Sequence, residues 1–128
     1  FKASSPSTVE NVTSAPAGFV AENPDVVAAF LAVTAEANAM WNSGDNTDMM
    51  LPVIAQDAGM DVDATAETIA TFVFPSVEEQ LSDAWLGSAA PDFMKGVADV
   101  FVEAGSIDSA LDTYADNVNT GPLASIGE

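Results

Sequence analysis

The chain has 128 residues, of which 20 are Asp or Glu and only two, Lys2 and Lys95, are basic, for a formal charge of −18. It has no Arg, His or Cys, which excludes disulfides, imidazole or thiolate metal ligands, thiol nucleophiles and histidine-based acid–base catalysis. Without a basic patch, nucleic acid and anionic membrane surfaces are poor partners, whereas a hydrophobic fraction of 48% belongs to a folding chain rather than an acidic disordered one.

One domain is the default at this length. Residues 1–18 are rich in Ser, Thr and Pro and read as a loop with at most one short strand near Val9–Ser14. Asn23-Pro24-Asp25 then has the order of an N-cap, a first-turn proline and a first-turn acid. Val27, Phe30, Leu31, Thr34, Asn38 and Trp41 follow at helical spacing, and Asn42-Ser43-Gly44 closes the helix. A second helix is predicted over Asp48–Ala58, capped by Thr47 and ended by Gly59, with Pro52 near enough to its start to be tolerated. Asp63 is the expected cap of a third, which Pro75 stops; Phe72-Val73-Phe74 fits either its end or an extended link.

Ser76-Val77-Glu78-Glu79 has the spacing of a capping box, so a helix should start at Val77, bury Leu81, Ala84 and Trp85, and stop at Gly87. Another is predicted from Pro91, with Phe93, Val97, Val100, Phe101 and Ala104 on one stripe and Gly105 just past its end. A last helix is predicted near Ile107–Val118, and residues 119–128 read as a tail. The expectation is a mainly α chain of five or six short amphipathic helices. Its apolar runs are shorter than the ~20 residues of a membrane span and no charged-then-apolar leader opens it, so no membrane insertion is expected. Phe1 in place of an initiator Met is what a processed or partial chain would show.

Carboxylates are the one plentiful reactive group. Glu78-Glu79 could act as acid and base, but neighbouring helix positions diverge and Glu79 fits the cap. Gly44–Asp48 and Asp57–Asp63 offer oxygen ligands without the twelve-residue calcium pattern, and turn or cap duty explains them better. The hydroxyls lack an activating base and the glycines form no phosphate loop. No metal, no cofactor and no enzymatic activity are therefore expected. Trp41, Phe74, Trp85, Phe93 and Phe101 read as core, and Met49-Met50 as core filler.

A family resemblance enters at Phe19-Val20-Ala21-Glu22-Asn23-Pro24-Asp25-Val26-Val27-Ala28-Ala29-Phe30. This stretch is similar to the segment after the second hinge in periplasmic solute-binding proteins of taurine and aliphatic-sulfonate ABC importers. Phe74–Gln80 resembles that family's short link and acid-rich helix start, and Asp92–Val118 its closing pattern of apolar helix, Gly turn and final helix. The likeness spans residues 19–118 and implies the C-terminal helical part of a two-lobed α/β fold, with residues 1–18 as a hinge-strand remnant. It implies a periplasmic carrier whose partners are a taurine-like sulfonate, an ABC permease and the remaining lobes of the same protein. By the same resemblance Glu10 would pair with the ammonium of an aminosulfonate and Asn11 would donate to a sulfonate oxygen. The competing expectation is a stand-alone acidic helical interaction or assembly module without transport activity, to which exposed Phe30, Phe72, Phe74 or Trp85 would bring a covering partner.

Overall fold

The computed structural model describes residues 12–127, and over them the protein is mainly α-helical with no strand. The longest element, α2 (Pro24–Ser43), follows a short α1 (Ala17–Glu22) and ends at Gly44, whose φ of 75° is the left-handed cap that glycine adopts without penalty. Asn23 does not cap α2 as the sequence suggests. Its amide and its Nδ2 both donate to the Phe19 carbonyl, at 2.9 and 3.1 Å, so its side chain closes α1 instead.

Helices α3 (Thr47–Ala58) and α4 (Val62–Ile69) pack on each other. Thr47 is the first residue of α3 rather than its acceptor cap, for its hydroxyl donates to the Gly44 carbonyl. Pro52 sits in the second turn, where its missing N–H leaves the Asp48 carbonyl without an intrahelical donor. The cap of α4 is Asp61, not Asp63: Asp61 Oδ1 accepts from the amides of Asp63 at 2.9 Å and Ala64 at 3.4 Å. Helix α4 stops at Ile69, and Phe72–Ser76 is a link without regular structure.

That link joins the two halves of the chain. The Asn42 side-chain amide donates to the Phe74 carbonyl at 2.7 Å, and the Trp41 and Phe74 rings meet edge to face at 6.3 Å. Helix α5 (Val77–Leu81) starts with the capping box and breaks sooner than the sequence predicts. Ser82 turns extended and its hydroxyl donates to the Glu79 carbonyl at 2.6 Å. A π-turn, Asp83–Gly87, then replaces the expected helix end, with Gly87 donating back to the Ser82 carbonyl.

Helix α6 (Ala89–Glu103) begins two residues before Pro91, packs on the π-turn, and closes as predicted at Gly105. The helix expected over Ile107–Val118 does not form beyond a 3-10 turn at Ala115–Asn117. Its Thr and Tyr side chains accept from backbone donors a helix would need: Ala115 N–H goes to Thr113 Oγ1 and Leu111 N–H to Tyr114 Oη. The predicted tail instead holds a short helix, α7 (Gly121–Ala124), packed on α2 and α5 with Leu123 buried. Among the described residues no helix is long and apolar enough to cross a membrane.

The buried set is small: Ala55, Thr65, Ala90, Pro91, Ala98 and Leu123. Packing is therefore set by close approach, as at Gly87, where an added Cβ would stand 2.8 Å from Asp83 Oδ1 and 2.9 Å from the Ser82 carbonyl oxygen. Gly87→Ala should cost about 1–3 kcal/mol in denaturant unfolding followed by circular dichroism. Gly96→Ala, in open space within α6, should gain roughly 1 kcal/mol as the control.

Candidate functional site

Helix α6 places Phe93, Val97 and Phe101 on one stripe, as its spacing predicts. The stripe is not core. Phe93 is 47% and Phe101 50% exposed, and with Met94, Ala98, Ile107 and Tyr114 they line an open apolar groove of about 270 Å³. The reversal after α6 builds its far wall. Gly105 donates to the Val102 carbonyl and Ser106 to the Phe101 carbonyl, a left-handed turn that brings Ile107 and Tyr114 to the groove without a helix between them. The acids of α6 lie elsewhere: Asp92, Asp99 and Glu103 project, by helical spacing, from the side opposite the groove. There Lys95 pairs with Asp99 at 2.5 Å.

Helix α2 carries two apolar stripes. One, with Val27, Leu31 and Trp41, is half-buried, while Val26, Phe30 and Val33 at positions i, i+4 and i+7 stand exposed. Phe30, expected in the packed stripe, belongs to the exposed one. Phe72 and Val73 project from the link, and Met49, read as core filler, lies on the surface with Val53. Phe74 and Trp85 are half-buried. A second hollow, lined by Val53, Gln56 and Asp57, has no convergent polar groups beyond those two side chains.

The carboxylates have local duties. Ser76 N–H donates to Glu79 Oε2 at 2.8 Å and Glu79 N–H to Ser76 Oγ at 3.2 Å, the predicted reciprocal box. The Ser76 backbone N–H, and after it the Ser76 hydroxyl, hold the Glu79 carboxyl below the usual carboxylate range. Asp61, in the Asp57–Asp63 stretch read as turn or cap residues, is the α4 cap. Among the described residues no three carboxylates converge on a point where a cation could sit. Glu10 and Asn11, the ligand contacts the resemblance implies, lie outside the described residues.

No protein-family model, curated protein or solved structure matches the chain. Ile107 and Tyr114 were hidden as groove residues by the helix the sequence predicts there, although their aromatic and aliphatic character beside the α6 stripe was a visible signal. Chemically, the arrangement offers apolar contact on one side of each long helix and charge on another.

The folded state lowers the Glu79 pKa relative to the unfolded chain, so its contribution is present above the unfolded value and is lost as pH falls through the folded one. The melting temperature of the native chain should exceed that of Glu79→Gln at neutral pH, and the difference should shrink as pH falls below the ordinary carboxylate value.

Proposed function

We propose that these residues are the C-terminal helical part of the substrate-binding component of an ABC importer for taurine or a related small sulfonate. The observation that carries this reading is the pair of uncovered apolar stripes, Val26/Phe30/Val33 on α2 and Phe93/Val97/Phe101 on α6. They lie on two of the segments whose order resembles that family. Single exposed apolar residues are ordinary, but stripes at helical spacing are built to meet another surface. In this reading the remaining lobes of the same protein supply that surface. The protein is a periplasmic carrier rather than a catalyst, it delivers its ligand to a membrane permease, and Glu10 and Asn11 touch the ammonium and sulfonate of the cargo.

Calorimetric titration with taurine tests the proposal. On this reading a longer protein carrying these 128 residues should give saturable heat, weakened by Glu10→Gln, and the 128-residue chain alone should give none. Saturable heat from the isolated chain, or a parent that binds neither taurine nor a simple alkanesulfonate, overturns it. Recovery of the chain from its source as a 13.1 kDa species would shift the reading to a stand-alone helical module.

A further inference from the structure

Apart from the transport reading, the placement of the acids along the helices carries a consequence for folding. Asp25, Asp48, Asp63 and Asp92 lie in first turns, where the positive end of the helix dipole favours them. Four others lie in last turns: Glu22 in α1, Asp57 in α3, Glu67 in α4 and Glu103 in α6. There the carbonyl ends of the helix are already negative, and no helix among the described residues has a basic side chain in its last turn. None of the four last-turn carboxylates hydrogen-bonds to another described residue, and the ion pair found among those residues is Lys95–Asp99.

We propose that the fold is gated by ionic strength, with Glu22, Asp57, Glu67 and Glu103 as the groups through which salt acts. At low salt each repels its own helix end as well as the surrounding charge of −18. At molar salt the screening length falls to about 3 Å and both repulsions are removed. Two favourable acids survive this screening better, because Asp61 and Glu79 act by direct hydrogen bonds to backbone amides. Net charge alone would make all 20 acids equivalent in this respect; the helix geometry separates these eight into two classes.

The test is thermal melting of the 128-residue chain, followed by far-ultraviolet circular dichroism from about 0.05 to about 2 M sodium chloride. The native chain should melt higher as salt rises. The variant E22Q/D57N/E67Q/E103Q should gain about 10 °C at low salt and show a flatter salt dependence. The control D25N/D48N/D63N/D92N removes the same number of charges from first turns and should gain nothing or melt lower. A midpoint indifferent to salt, equal gains in the two variants, or a native chain without helicity at any salt concentration would overturn the proposal.

Discussion

The seating of Phe74 on the end of α2 is the contact on which the rest of the architecture depends. Most packing in this chain is between sequence neighbours, α3 with α4 and α6 with the π-turn, and such contacts cannot by themselves bring the two halves together. The Asn42 amide reaches across 32 residues to the Phe74 carbonyl, and Trp41 meets the Phe74 ring beside it. A hydrogen bond contributes roughly 1 kcal/mol net and an edge-to-face aromatic pair about as much again. Small as this is, it fixes where α5 begins, because the capping box starts two residues later at Ser76. Helix α7 then returns to the same place and lies on both α2 and α5, with Leu123 inserted.

The clasp also decides what stays uncovered. The C-terminal end of α2 is directed through Trp41 to Phe74, while in its N-terminal half Val26, Phe30 and Val33 stay exposed among the described residues. The α6 groove follows from the other junction. Because Ser82–Gly87 form a π-turn instead of continuing α5, α6 packs back on that turn, and the side chains it buries are Ala90, Pro91 and Ala98. Its Phe93 and Phe101 are left facing outward. Small residues thus occupy the inner contacts and large ones the outer surface, the reverse of what a self-contained domain of this length does.

What could be read from the sequence was whatever is decided within one helical turn. Gly44, Gly59 and Gly105 end α2, α3 and α6 because a left-handed residue is needed there, and the Ser76–Glu79 box is formed from side chains three residues apart. The structure departs from the sequence expectation where two local interactions compete. Asn23 could cap α2 or close α1, and the Phe19 carbonyl wins it. Asp61 and Asp63 could each cap α4; Asp61 has the extended backbone that aims its carboxylate at the free amides. Ile107–Val118 has a helical apolar spacing, but Thr113 and Tyr114 capture amides that the helix would use. The 119–128 segment becomes helical through burial of Leu123 on distant elements, which no window of sequence contains. The α6 stripe was legible as a stripe; its exposure was not, because burial is a property of what lies opposite.

Energetics connect the exposed stripes to the charge. Complete burial of a Phe or Val side chain is worth about 1.5–3 kcal/mol, so the half still open on Val26, Phe30, Val33, Phe93, Val97 and Phe101 represents roughly 5 kcal/mol. That is comparable with the whole stability of a small domain. A second copy of the chain is a poor source of it, since association would bring another charge of −18 against the first across a short distance. A surface joined covalently to this one meets the same repulsion but loses far less translational and rotational freedom on docking. The combination of large uncovered stripes and strong like charge therefore favours an intramolecular covering surface over self-association. In the proposed carrier reading, the remaining lobes would be that surface.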